Sequence, residues 1–297
     1  MAQVVEHVLG KDEVTGSSPV ISSSDVSRYS VMNTFYFFVI CGVYMKDLHI
    51  HLEQGPYTKE WIDKFVQQAV KMNIDEICLL EHSIRFKEFH PTFQEARQYN
   101  HYQSKWFAGK EKSAHTLDEF KALAEYIRSC DYPVKINFGL EICWFEQYEE
   151  YIRNLVSDGF FDYLIGSVHW IDNWTFNQRK YQWLGKDVNK IYKRYYEMSQ
   201  TLVDSGIFDI IAHPDLITCH SLYPTVDMAP YYTTLCKSAV KNNVMIEMNT
   251  SKGSGINEQF LQIAKECGVS FSTGSDAHKP ENVGKGILTV SNLICQK

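Results

Sequence analysis

The sequence predicts an α/β fold in which parallel strands and helices alternate around a closed or nearly closed barrel. Short apolar runs that end in polar residues recur along the chain, and segments of helical periodicity separate them. This alternation indicates a parallel sheet. Seven such runs over about 250 residues fit a β/α barrel better than a doubly wound sheet. No G-x-G-x-x-G or P-loop sequence follows any of the runs, which argues against a nucleotide-binding sheet.

The predicted strands are short and apolar, and each has a polar carboxyl end. They cover residues 45–51, 74–81, 134–141, 161–169, 207–213, 244–249 and 269–276. The predicted helices carry apolar residues at intervals of three or four, as Trp61, Phe65, Ala69 and Met72 do in the first helix. They cover residues 58–72, 117–130, 146–157, 187–205, 228–242 and 256–267. The long insertion at 83–115, rich in aromatic residues and His, is predicted to cover one mouth of the barrel.

The first 44 residues differ from the rest of the chain. Residues 10–30 are rich in Ser, Gly and Val and show no period, which is typical of a loop or of disorder. The apolar run at 35–45 has 11 residues, about half of the roughly 20 needed to cross a bilayer. We expect residues 1–44 to be a disordered or loosely packed extension, with Met45 as the natural start and residues 45–297 as the catalytic barrel. The alternative is a short apolar segment packed on the domain.

Composition excludes several classes of protein. The net charge of −7 argues against an extended nucleic-acid surface, which would be basic. A mean hydropathy of −0.28 argues against a protein with many membrane spans. Eight cysteines include no C-x-x-C pair, so a cysteine zinc site is not expected. These features favour a protein of the reducing cytoplasm; the oligomeric state stays open.

Metal-binding side chains fall where the predicted strands end. These residues are His49, His51, Glu81, His82, Glu141, His169, His213, Asp276 and His278. The carboxyl ends of all strands in a parallel barrel open on one face, so these side chains should converge on one pocket. Residues i and i+2 of a strand point the same way, so the first two His should share a face. A single His at a strand end is commonly structural, but six beside carboxylates would be costly to bury without a metal.

The ligand count exceeds the need of one metal. A catalytic zinc takes about three protein ligands and keeps one position open. Nine candidates therefore indicate two or three divalent metals per chain, and mixed imidazole and carboxylate ligands favour Zn, Mn or Fe. Clustered divalent ions activate water and stabilise both the attacking and leaving oxygens in phosphoryl transfer.

The order of these motifs resembles the polymerase and histidinol phosphatase (PHP) superfamily over about residues 45–290. The motifs are H-x-H at His49 and His51, E-H at Glu81 and His82, the strand-end Glu141, S-V-H at His169, A-H-P-D at His213 and S-D-A-H at Asp276 and His278. Five stretches are similar to the histidinol-phosphatase branch in particular: H-L-E-Q-G-P-Y-T, E-H-S-I-R-F, G-S-V-H-W, F-D-I-I-A-H-P-D-L-I and E-M-N-T-S.

The resemblance implies a distorted (β/α)7 barrel with a trinuclear metal site at the carboxyl ends of the strands. The implied ligands of the first metal are His49, His51, Glu141 and Asp276. Glu141 bridges to a second metal, whose other ligands are His169 and His213. The third metal has His82 and His278. Family members often carry a further His six residues after the H-x-H pair, where this chain has Tyr57. Glu53 is our first candidate to replace that ligand, and Glu81 is the second.

The resemblance also implies the activity, a metal-dependent phosphomonoesterase acting on a small phosphorylated substrate, with L-histidinol phosphate as the first choice. Glu141 and Asp276 are the predicted catalytic residues; Asp276 or a His would help protonate the leaving oxygen. Relatives in the branch usually carry an Arg after the N-T segment, where this chain has Lys252. Lys252, Arg85 and Arg179 are therefore candidate phosphate-binding residues. The alternatives are a PHP phosphoesterase acting on another small phosphate or a nucleic-acid end, and a non-catalytic PHP module.

Overall fold

The structure is a computed structural model that describes residues 44–253 and 255–296. The prediction that residues 1–44 form an extension lies outside the described residues, apart from Tyr44, and stays a prediction. No helix in the described part of the chain is both long enough and apolar enough to cross a membrane. The predicted cytoplasmic location is not tested further and also stays a prediction.

Seven parallel strands form the barrel wall. They are β1 (Lys46–His51), β2 (Glu76–His82), β3 (Lys135–Cys143), β4 (Tyr163–Ser167), β7 (Ile210–Ile211), β8 (Met245–Asn249) and β9 (Phe271–Gly274). A separate antiparallel hairpin consists of β5 (Trp170–Ile171) and β6 (Trp174–Thr175). The wall follows the order β1-β2-β3-β4-β7-β8-β9. The two edges meet just past β9, where the His51 amide donates to the Ala277 carbonyl at 2.8 Å. The predicted (β/α)7 barrel is therefore confirmed.

Helices separate the strands as the periodicity predicted. They are α1 (Lys59–Lys71), α4 (Leu117–Arg128), α5 (Glu149–Leu155), α6 (Val188–Asp204), α7 (Ala229–Asn242) and α8 (Glu258–Cys267). Local capping explains where several begin, as at α4, where Thr116 and Glu119 form a reciprocal capping box. The predicted face of α1 is partly wrong. Phe65 and Ala69 are buried, but Met72 caps the helix end and is 38% exposed, because it lies beyond the last turn that packs on the sheet.

A small apolar cluster fills the barrel below the mouth. Its members come from alternate positions of neighbouring strands: Leu48, Cys78, Leu80, Ile165, Ile210 and Ala212. Residues at the intervening strand positions, such as Ile77 and Leu79, point outward and pack against the outer helices in the main core. Because this cluster closes the lower part of the barrel, polar side chains nearer the carboxyl ends face only the mouth.

The insertion forms two short 3-10 helices and two α-helices, α2 (Gln94–Gln98) and α3 (His101–Glu111). It packs on the β5–β6 hairpin that follows β4. The Phe107 and Trp170 rings stack with centroids 5.7 Å apart, and Gln103 Nε2 donates to the Asn173 carbonyl at 2.8 Å. The insertion therefore lies beside the mouth at the carboxyl ends of β2 to β4. The last helix, α9 (Ile287–Cys295), was not predicted.

Candidate metal centre

A β-bulge in β1 directs two His side chains into the mouth. Asp47 pairs with Ile77 and Ile50 pairs with Leu79, so β1 contains one more residue than β2 over this interval. A bulge of this kind changes the direction of side chains beside it. Leu48 joins the interior cluster, while His49 lies with His51 above it and their Nε2 atoms are 3.0 Å apart. The predicted shared face of the two His is present.

Glu141 lies at the centre of the His side chains and is fully buried. Its Oε1 is 3.0 Å from His213 Nε2 and 3.5 Å from His169 Nε2. Its Oε2 is 2.5 Å from His82 Nδ1 and 3.4 Å from His51 Nε2. The two oxygens of one carboxylate thus face different sets of imidazoles, which is the geometry of a bridging ligand.

Asp276 and His278 form the opposite side of the mouth. Asp276 Oδ1 lies 3.4 Å from His51 Nε2 and 3.3 Å from His278 Nε2. Glu53 Oε1 lies 2.9 Å from His278 Nδ1, and Lys110 from the insertion lies 3.6 Å from the other Glu53 oxygen. The structure thus places Glu53 where it orients the His278 ring.

Among the residues that the structure describes, three groups of side chains have ligand atoms close enough to hold a metal ion, with the atoms of each group within 4.8 Å of one another. They are His49, His51 and Asp276; Glu141, His169 and His213; and His51, His82 and His278. The first two match the ligand sets implied for the first and second metals, except that Glu141 falls in the second group alone. The third group contains His82 and His278, the ligands implied for the third metal, together with His51. Neither Glu53 nor Glu81, the two candidate replacement ligands, belongs to it.

The position that lacks the family His has a different environment. Tyr57 stacks on His115 with ring centroids 4.4 Å apart. Glu81, the neighbour of His82 on β2, is fully buried, and within the part of the chain that the structure describes neither carboxylate oxygen has a hydrogen-bond partner. Burial raises the pKa of Glu81 to about 8, although Arg85 opposes the shift. Adjacent strand residues face opposite sides, so Glu81 points away from the barrel interior that His82 enters.

The charge distribution supports cation binding. Burial by itself would raise the pKa of Glu141, but the surrounding imidazoles, that of His82 first, hold it well below its usual range. Burial lowers the pKa values of His51 and His169 to about 3. The lowered pKa values favour the neutral form of these two rings, whose nitrogen lone pairs can then bind a cation beside the carboxylate. Neutral imidazole and carboxylate donors fit zinc and similar transition metals.

Sequence reasoning missed Glu247 on β8 as a site residue. Its Oε1 accepts from His49 Nδ1 at 2.8 Å and its Oε2 accepts from the His213 amide at 2.6 Å. The signal that could have found it is the spacing of Glu247 and Asn249, two polar residues at i and i+2 at the end of an apolar strand. His169 also has partners the sequence did not indicate, since Ser167 Oγ and Cys143 Sγ lie 3.2 and 3.3 Å from its Nδ1.

The three candidate phosphate-binding residues lie in different surroundings. Lys252 is exposed and lines a cavity of about 280 Å³ that also reaches His213 and Glu247. Arg85 is buried, and its Nη1 donates to Ser113 Oγ at 2.8 Å within the insertion. Arg179 is exposed at the start of the 3-10 helix Lys180–Trp183. Of the three, only Lys252 lines this cavity, which reaches a candidate metal ligand, His213.

The seven-stranded β/α barrel and the three groups of side chains at its mouth together define the class of this protein. It is a barrel whose mouth could hold metal ions. The chain belongs to the PHP domain family, whose sequence profile matches residues 47–251. A second profile, described as PHP-associated, matches residues 256–293. The resemblance to this superfamily that the motifs indicated is confirmed, and family membership supports a phosphoesterase hydrolase.

Two relatives are both histidinol-phosphatases by name, in line with the predicted resemblance to that branch. A probable histidinol-phosphatase from Deinococcus radiodurans is 23% identical over 247 residues, covering 80% of this chain and 88% of the relative. Histidinol phosphate phosphatase from Lactococcus lactis subsp. lactis Il1403, solved with zinc, L-histidinol and phosphate, has a TM-score of 0.60 at 18% identity. That alignment covers 84% of this chain and 92% of the solved chain, and it shows that the fold is shared.

Proposed function

We propose that this protein is a metal-dependent phosphomonoesterase that hydrolyses L-histidinol phosphate to L-histidinol and phosphate, a step of histidine biosynthesis. One observation carries the proposal: the buried Glu141 carboxylate has one oxygen facing His169 and His213 and the other facing His51 and His82. This arrangement suits two or three divalent ions such as Zn, Mn or Fe bound side by side.

Each residue of the site has a proposed role. His49, His51 and Asp276 would hold the first cation, and His169 and His213 the second, with Glu141 between them. His82 and His278 would hold a third. Divalent cations in these positions supply Lewis acidity that activates water and stabilises charge on phosphate oxygens. Asp276 Oδ1 lies 3.3 Å from His278 Nε2, and we propose that Asp276 or a neighbouring imidazole protonates the leaving alcohol oxygen.

The cavity beside His213 is the proposed binding site for the parts of the substrate that do not contact the cations. Its polar lining includes Asn249, Lys252 and Asn257. Lys252 provides a single cation at the position where related phosphatases usually carry an Arg. A Lys ammonium can pair with a phosphate oxygen, although it lacks the bidentate fork of an Arg. The substrate assignment is supported further by the names of the two relatives.

A substrate screen tests the proposal. The zinc-loaded full chain is assayed against histidinol phosphate, phosphoserine, sugar phosphates and nucleotides, with metal-free protein as the control. We expect kcat/KM for histidinol phosphate to exceed the others by orders of magnitude, because binding of the imidazole and amine is used in the transition state. Faster turnover of nucleotides or sugar phosphates would keep the phosphoesterase and refute the substrate. Absence of turnover for every phosphate would instead favour a non-catalytic PHP module.

A further inference from the structure

Glu247 is a buried carboxylate on the barrel wall between His49 and His213, and it belongs to none of the three ligand groups found among the described residues. It is 1% exposed and lies on β8. Both of its oxygens accept hydrogen bonds from N–H donors, one from His49 and one from His213. Asn249 Nδ2 also donates to Oε2, at 3.2 Å. With both oxygens engaged in this way, Glu247 is better suited to hold ligands than to be one.

The first contact determines which nitrogen His49 presents to the mouth. An ionised carboxylate only accepts, so His49 Nδ1 must carry the proton that it shares with Glu247 Oε1. The Nε2 lone pair of a singly protonated ring then points toward His51 Nε2, 3.0 Å away, and toward Glu141 Oε2, 3.6 Å away. Hydrogen bonds of this type orient metal-binding His residues and raise their basicity.

A glycine makes the first contact possible. His49 and Glu247 belong to strands on either side of β9, and Gly274 lies between them. A Cβ atom at Gly274 would overlap Glu247 Oε1 and lie 2.6 Å from His49 Cβ. The absence of a side chain at this position therefore allows the carboxylate and the imidazole to meet across the intervening strand.

The second contact stabilises an unusual backbone conformation at His213. This residue has a φ of +27°, which is strained for a side chain with a Cβ atom. Its amide donates to Glu247 Oε2 at 2.6 Å, and its Nε2 lies 3.0 Å from Glu141 Oε1. The hydrogen bond from the amide therefore helps to keep the ring directed at the bridging carboxylate.

We propose that Glu247 is a positioning residue that couples two cation positions by orienting His49 for the first and His213 for the second. The inference rests on the proposed metal centre. It explains why a carboxylate is buried here although it contributes no ligand atom. Loss of Glu247 should weaken both positions together, since a single side chain holds one ligand of each.

The experiment compares zinc binding by two Glu247 variants with zinc binding by a control variant that lacks a different buried carboxylate. Glu247→Ala removes both acceptors, Glu247→Gln keeps one acceptor oxygen, and Glu76→Ala removes a carboxylate that is also 1% exposed but lies at the start of β2. Zinc affinity is measured by competition with a chelator, zinc content by elemental analysis, and folding by the melting temperature of the metal-free proteins. Outer partners of metal-binding His typically contribute about 10- to 100-fold in affinity.

We expect Glu247→Ala to bind zinc about 10- to 100-fold more weakly at both positions, with Glu247→Gln between it and wild type. Glu76→Ala should lower the melting temperature but keep wild-type zinc affinity. Excess zinc should restore phosphatase activity to the Glu247 variants. Wild-type zinc affinity in Glu247→Ala, weakening at one position only, or equal weakening in Glu76→Ala would overturn the proposal. Wild-type protein that binds none of zinc, manganese and iron would instead refute the proposed function itself.

A spectroscopic measurement keeps the proposal testable if the Glu247 variants do not fold. Nitrogen-15 NMR of the zinc-loaded wild-type protein reports which nitrogen of His49 carries a proton. We expect a protonated, slowly exchanging Nδ1 and a metal-bound Nε2. The opposite assignment would overturn the proposal, because Glu247 would then have no proton to accept from this ring.

Discussion

Replacing Glu141 with alanine is expected to abolish most of the activity, since this side chain joins the ligand groups. The carboxylate is fully buried, with Oε1 at 3.0 Å from His213 Nε2 and Oε2 at 3.4 Å from His51 Nε2. A hydrogen bond to a charged group contributes about 1.5–3 kcal/mol. Of the two oxygens only Oε1 makes a hydrogen bond within the described part of the chain, so its loss alone costs about 1.5–3 kcal/mol, roughly one to two orders of magnitude in kcat, and loss of the proposed cation contacts of both oxygens adds to this.

The assay uses a generic aryl phosphate and elemental analysis of protein purified without chelator. Wild-type protein should contain two or three Zn, Mn or Fe per chain, and Glu141→Ala should retain fewer. Glu141→Gln, which keeps the shape and loses the charge, separates the electrostatic contribution from packing. Glu76→Gln is the control for removal of a buried carboxylate elsewhere in the barrel. A loss of kcat below tenfold, about 1.4 kcal/mol, would show that Glu141 does not bridge two cations.

The remaining predictions concern the metals, two candidate phosphate-binding residues, the N-terminal segment and His220. Removing the metals with a chelator should abolish phosphatase activity, and unchanged activity of metal-free protein would contradict the metal mechanism. Lys252→Ala should reduce kcat/KM for a small phosphate by about 10- to 150-fold, mainly through KM. Arg85→Ala should have a smaller effect because that guanidinium is already hydrogen-bonded away from the cavity; the reverse order would assign the phosphate contact to Arg85. A chain starting at Met45 should fold with the melting temperature and activity of the full chain, and a large drop in melting temperature would show that the preceding residues pack on the barrel. Burial and two neighbouring lysine charges, one of them that of Lys252, lower the pKa of His220 below its ordinary 6.5. Below pH 6.5 the unfolded chain therefore binds a proton at this residue before the folded protein does, so the free energy of unfolding decreases as the pH falls from 6.5 through the lower pKa of the folded state. NMR titration should show the His220 pKa rise in Lys252→Ala, and an unchanged value would place the lysine away from this ring.

The alternation of strands and helices could be predicted from the sequence because it depends on local patterns. Each strand of the wall is a short apolar run, and each helix between them has apolar residues at helical spacing. The two insertion helices and the last helix were not predicted. In α3 the apolar residues show almost no one-sided periodicity, since its buried positions Gln103 and Phe107 include a polar residue that bonds to the neighbouring hairpin.

The sequence by itself also determined which residues could meet at the mouth, since the carboxyl ends of parallel strands share one face. Only the tertiary structure decided how they meet. The bulge in β1 directs His49 inward, and the missing side chain of Gly274 allows Glu247 to reach that ring across β9. These relations join residues about 200 positions apart, such as His49 and Glu247, separated by 198 in sequence. Local propensity acts over a few residues, so a contact of this kind depends on the closure of the whole barrel.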